Sequence, residues 1–122
     1  MPLIAALQSI AAADAVGVGT FDAVGAAYAA TLAGDLAVTV SHPMILKLNP
    51  GGATRSVTLE AEGVCPGRMR WILNSAPGAG EDLTIKNDAG ATIATVNQNE
   101  SAVVYCDGTA WSLIAVVAIA LT

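Results

Sequence analysis

The chain is poor in charge. Only 12% of its 122 residues are Asp, Glu, Lys or Arg, against about 25% in an ordinary soluble domain. The basic residues are Lys47, Arg55, Arg68, Arg70 and Lys86, spread thinly along the chain. They form no stripe that could track a phosphate backbone, so nucleic acid is not expected as a partner. Histidine occurs once, at position 42. It precedes Pro43 in a break between two apolar segments, which favours a structural role over catalysis. No His/Cys/Asp cluster has metal-ligand spacing, and no segment has the form of a nucleophile elbow. Glu81 and Asp82 are adjacent in the loop PGAGED; neighbouring loop residues point apart, so they make a poor acid/base pair. Gly78-Ala79-Gly80 is followed by neither a lysine nor a helix and is not a phosphate loop. No catalytic, cofactor or metal residue is therefore assigned, and the chain is not expected to be an enzyme.

Cysteine is scarce too. Two residues, Cys65 and Cys106, are too few for a disulfide framework. They read as small buried hydrophobes in a reducing compartment, and spacing alone does not say whether they pair. The N-terminus MPLIAALQSIAAADAVG lacks a basic region, so no secretory signal is expected. The longest apolar run, Leu113 to Leu121, is nine residues. A membrane helix needs about 20, and no membrane association is expected.

What the chain does have is small apolar side chains. Hydrophobic residues make up 54% of it, aromatics only 4%, and the net charge is −5. So weakly polar a surface usually lies against another subunit. Residues 1–34 are Ala- and Gly-rich, with Leu3, Ile4, Leu7 and Ile10 at the spacing of a short amphipathic helix. They read as an N-terminal arm that is weakly structured or extended; the alternative is an extra edge strand or two around Val16–Phe21 and Tyr28–Leu32. Residues 35–122 read as a single β-rich module.

From Leu36 the apolar period is two. Leu46 and Leu48 share a face that Lys47 does not. Asn49-Pro50-Gly51-Gly52 is a turn. Val57, Leu59 and Ala61 alternate with polar residues, and Met69, Trp71 and Leu73 alternate with Arg68, Arg70 and Ile72. An antiparallel hairpin over Gly63–Gly67 puts Leu59 opposite Trp71 in the core, and Glu60 opposite Arg70 at the surface. The same five-residue link could instead carry the chain between two sheets. Asp88-Ala89-Gly90 suits a three-residue hairpin loop that places Ile85 opposite Ile93. Asp107-Gly108-Thr109-Ala110 joins two further strands. The regular spacing predicts an all-β fold: a small β-sandwich or barrel-like module of short antiparallel strands. Its core anchors are Leu59, Trp71, Ile85, Ile93 and Trp111. Because Trp111–Leu121 is apolar on both faces, Val116, Val117, Ile119 and Leu121 are expected at an oligomer or capsid interface, with Leu3, Ile4 and Leu7 of the arm.

The segments TRSVTL, the Pro66-Gly67 pair, Asn74, LTIKNDAGATIATV and VYCDGTAW together resemble a module of tailed-phage structural proteins, of the head decoration (cement) or head-fibre type. The resemblance covers residues 44 to 113. It implies a non-enzymatic homotrimer, made in the host cytoplasm, that binds the major capsid protein on the outside of the virion head and stabilises the shell. No long repeats or receptor domain accompany it, which favours decoration over a fibre. The alternative is a tail-fibre or baseplate-tip module that binds host surface glycan through exposed aromatics.

Overall fold

In the computed structural model, which describes residues 28–121, the chain is built of nine strands and one 3-10 turn. The strands are β1 (Tyr28–Thr31), β2 (Leu36–Ala37), β3 (Ile45–Asn49), β4 (Arg55–Thr58), β5 (Met69–Asn74), β6 (Leu83–Lys86), β7 (Thr92–Val96), β8 (Glu100–Cys106) and β9 (Trp111–Ala118), and the 3-10 turn, Glu62–Val64, lies between β4 and β5. The all-β expectation is met: the described residues contain no α-helix.

The strands form two sheets. One has the order β1-β3-β5-β8-β9, the other β2-β4-β6-β7. Over the first six strands the chain alternates between them, so that each strand pairs in parallel with the one two places on: β1 with β3, β3 with β5, β2 with β4 and β4 with β6. This is a short two-sheet coil of stacked turns. Parallel neighbours need a long connection, and here that connection runs through the opposite sheet. Two hairpins, β6–β7 and β8–β9, then close the stack with antiparallel pairing. The antiparallel expectation thus holds for the last part of the chain and fails for the first six strands.

Three placements differ from the sequence reading. The hairpin between Val57–Ala61 and Met69–Leu73 does not form: β4 and β5 lie in different sheets, and the link between them crosses from one to the other. Trp71 faces outward at 36% exposure while Arg70 is fully buried. Ile85 is opposite Ala94 rather than Ile93, because the register slips after Ile85 and leaves Ile93 as the extra residue of a bulge, half-buried against the core. The module also begins earlier than position 35. Tyr28–Thr31 is an edge strand and Leu32 joins the core. Residues 1–27, with Leu3, Ile4 and Leu7, lie outside the described residues.

The core fills the space between the sheets. Leu46 and Leu48 of β3, Ile72 of β5, and Ala102 and Val104 of β8 face Val57 of β4, Leu83 and Ile85 of β6, and Val96 of β7. Leu59 and Trp111 complete it at one end. Every buried side-chain nitrogen or oxygen among the described residues has a hydrogen-bond partner.

Two polar side chains bracket the inward row of β5. Arg70 uses all five of its N–H donors. Its Nε and Nη2 donate to the two carboxylate oxygens of Glu60 at 3.3 and 2.7 Å, Nη2 also to the Thr39 carbonyl at 3.0 Å, and Nη1 to the carbonyls of His42, at 2.8 Å, and Pro43. The Trp111 indole N–H donates to the Glu60 carbonyl at 2.9 Å. At the other end Asn74, also fully buried, donates to the carbonyls of Glu81 and Val96 at 2.8 and 2.9 Å and accepts from the Ala76 N–H at 2.8 Å.

Candidate interaction face

Strand alternation gives each sheet an outer face, and the two outer faces differ in chemistry. Across the four-stranded sheet one row reads Ser56, Thr84, Thr95, and the next pair is Thr58 and Lys86. This is the polar exterior that half-exposed strands normally carry. Across the five-stranded sheet the corresponding rows read Ile45, Trp71, Val103, Ala115 and Lys47, Leu73, Ser101, Val117. A third row adds Met69, Tyr105 and Ser112. Lys47 is the one charged side chain in these rows. Ile45, Trp71 and Tyr105 are each more than a third exposed.

The apolar character continues onto β9, the edge of this sheet. Register breaks opposite Val103 and Val104, so the β9 segment around Leu113–Ala115 contains a bulge. Beyond it Val116 lies opposite Ala102 on the inward side, yet remains exposed. Val117 faces outward and is half-buried, Ile119 is half-buried, and Leu113, Ile114 and Leu121 are exposed. Natural edge strands are blunted by charge, proline or brevity. β9 has eight residues and neither a charge nor a proline. Its bulge is the single device present. Of the residues expected at an interface, Val116, Val117, Ile119 and Leu121 lie on or just beyond β9, an edge that no further strand pairs among the described residues.

Of the expected core anchors, Leu59, Ile85 and Trp111 are buried. Trp71 belongs to the outer face instead. Tyr105 was missed by the sequence reading; the signal available was its parity with Val103 in a strand that ends in Cys106 and so turns Tyr105 away from the core. Trp71 and Tyr105 lie on adjacent strands, one residue pair apart on the same face, within reach of each other for side chains of that size.

The other candidates resolve into local structure. His42 Nδ1 accepts from the Thr39 N–H at 2.9 Å, and its ring stands edge-on to Tyr28 with centroids 4.9 Å apart. Ser41 Oγ and His42 Nδ1 both lie within hydrogen-bond distance of Thr39 Oγ1, and together they cap the turn that leads into β3. Glu81 accepts from the Gly52 N–H at 2.7 Å and the Asp82 carbonyl from the Arg55 N–H at 2.9 Å, so this acidic pair fastens a loop to a turn. Among the described residues no three His, Cys, Asp or Glu side chains are grouped to hold a metal ion. Asp107 Oδ1 accepts from the N–H groups of Thr109 and Ala110, both at 2.8 Å. Those two bonds hold its carboxyl below the usual carboxylate range.

Comparison with known proteins finds no matching family model, no matching curated protein and no matching solved structure.

Proposed function

We propose that the protein is a structural component of a phage virion: a homotrimeric decoration (cement) protein that binds the major capsid protein on the outside of the head and stabilises the shell. The observation that carries this reading is the outer face of the five-stranded sheet, largely apolar in its rows from β3 to β9 and continuous with an edge strand that carries neither charge nor proline. A largely apolar face with Ile45, Trp71 and Tyr105 exposed marks a contact between proteins, and the polar face on the opposite sheet supplies the side turned to solvent. The resemblance of residues 44–113 to phage structural modules points the same way. A decorator works by number. Many copies, each with several modest contacts, give a strength that no single contact needs to have.

Undecorated capsids mixed with the purified protein test the reading. Binding to saturation is expected, together with a trimer in analytical ultracentrifugation. Trp71→Asp and Val117→Asp are expected to abolish both while leaving the thermal midpoint within a few degrees, because neither side chain faces the core. A wild-type monomer that ignores capsids would overturn it.

A second reading rests on Trp71 and Tyr105, which form an aromatic surface suited to stacking against sugar rings. It makes the module a tail-fibre or baseplate-tip domain for host glycan. The two readings exclude each other, since rings buried in a trimer or against a capsid are closed to sugar. Retained assembly with lost glycan binding in Trp71→Ala would favour the second.

A further inference from the structure

Cys65 and Cys106 are far apart in sequence and adjacent in space. Their sulfurs are 3.3 Å apart in the reduced protein, and both residues are buried. Cys65 closes the 3-10 turn that carries the chain from one sheet to the other, and Cys106 ends β8. The backbones beside them are locked. The Gly67 N–H donates to the Cys106 carbonyl at 2.7 Å, and the Cys106 N–H donates to the Arg68 carbonyl at 2.8 Å.

We propose that this pair is a disulfide-forming site, closed by a thiol-disulfide oxidant such as glutathione disulfide. A sulfur–sulfur bond is about 2.05 Å long, so the sulfurs must approach by a little over 1 Å, which side-chain rotation supplies. The step balances. One cysteine thiolate attacks a sulfur of glutathione disulfide and expels a glutathione thiolate. The second cysteine thiolate then displaces the other glutathione. Two protons leave the protein, two electrons pass to the oxidant, and two glutathione thiols are formed.

Hydrogen bonding allows the same change. In the reduced form Cys65 Sγ lies 3.3 Å from the Ala61 carbonyl and Cys106 Sγ lies 3.4 Å from the Glu62 carbonyl. Oxidation removes both S–H donors. Neither carbonyl is orphaned, because Ala61 O still accepts from the Val64 N–H at 3.1 Å and Glu62 O from the Cys65 N–H at 3.4 Å. A buried thiol pair whose partners all stay satisfied in either redox state is suited to exist in both.

The site is also guarded. No residue of the Glu62–Val64 turn is buried, and Val64 is 61% exposed, so this turn is the cover that must lift to admit the oxidant. Burial pushes the Cys65 thiol up to about 12. Its thiolate is scarce at neutral pH, and the thiolate is the attacking form. Closure is therefore slow in the folded protein and rises about tenfold per pH unit in the range below that value. The proposal stands apart from the virion reading and needs no particular partner.

The test uses the full chain, fully reduced, freed of reductant and incubated with glutathione disulfide at pH 8.5. Intact mass after alkylation under denaturing conditions is the readout. The expected result is loss of two hydrogens, no alkylated cysteine, and one linked peptide pair containing Cys65 and Cys106. The thermal midpoint should rise by about 10 °C or more and fall back on reduction. In Cys106→Ser a single glutathione adduct on Cys65 is expected, with no gain in midpoint. Quantitative alkylation of both thiols in the wild type, even after cycling through the unfolding midpoint with oxidant present, would overturn the proposal. So would stable glutathione adducts on both cysteines without closure.

Discussion

Arg70→Leu is the most informative single change. Leucine keeps much of the volume and removes all five donors. The Glu60 carboxylate is then left with a side chain 3% exposed and no counter-charge. Removing one partner of a buried ion pair costs about 3–5 kcal/mol. The carbonyls of Thr39, His42 and Pro43 lose the arginine too, but Thr39 still accepts from the His42 N–H at 3.0 Å, all three residues are exposed or half-buried, and water can replace part of what is lost. The carboxylate is thus the dominant penalty. A loss of about 4 kcal/mol takes a large share of the roughly 5–15 kcal/mol that holds a domain together. It should lower the thermal midpoint by about 15–30 °C. Arg70→Lys keeps the charge with three donors and should fall between, near 2 kcal/mol. The informative companion is Arg70→Leu/Glu60→Leu, which removes the stranded charge and should be more stable than Arg70→Leu alone. Urea unfolding followed by tryptophan fluorescence measures all of them, because the Trp111 indole is bonded to Glu60. Were the pair at the surface, as the hairpin register had it, each single change would cost less than about 1 kcal/mol. A value that small for Arg70→Leu, or a double variant worse than the sum of its parts, would refute the reasoning.

Two further predictions concern turns and pH. Gly51 has φ +78°, and a β-carbon there would lie 2.1 Å from the Leu32 carbonyl oxygen, whereas Gly52 has φ +97° with open space around it. Gly51→Ala should therefore cost about 3 kcal/mol or more through backbone strain and a displaced β1, and Gly52→Ala about 1–2 kcal/mol through strain alone; equal urea midpoints would contradict this. The lowered Asp107 carboxyl contributes stability that is present above the ordinary aspartate value of 3.8 and is lost as pH falls through its folded value. Between pH 5 and 2.5 the midpoint of the wild type should fall more steeply than that of Asp107→Asn, and parallel profiles would show that the turn carboxylate is uncoupled from folding.

Strand positions and turns were legible in the sequence, and the pairing was not. Both closing hairpins could be read because their loops are local: Asp88-Ala89-Gly90 and Asp107–Ala110 carry the turn chemistry that brings neighbours together. The parallel coil has no such marker, since Ile72 pairs with Leu46 and Ile85 with Val57 across long stretches of chain. Strand β5 shows why parity failed. Of MRWILN, both alternating sets contain large apolar residues, and transfer free energy favours Trp71 inside and Arg70 out. That rule assumes an unpartnered arginine. Here five acceptors converge on Arg70 and three groups on Asn74, while Trp71 finds an apolar row outside. The edge along β9 was legible because its apolar run has no polar face to hide. The outer face of β5 and β8 was not, because hydrophobicity alone places Trp71 inward and gives Tyr105 no assignment.

Arg70 and Asn74 set a limit on size. Between them the inward row of β5 has one residue, Ile72, so on this strand the oily interior is bounded by a polar side chain at each end. Lengthening the strands would drag one of them into the interior or strand it in solvent. Stacking another turn of chain against β1 and β2 would disturb neither. The module is thus fixed in breadth and extensible in height, and the closing hairpins leave that height adjustable from one end alone: a tile whose width is specified by two side chains and whose stature is a matter of counting coils.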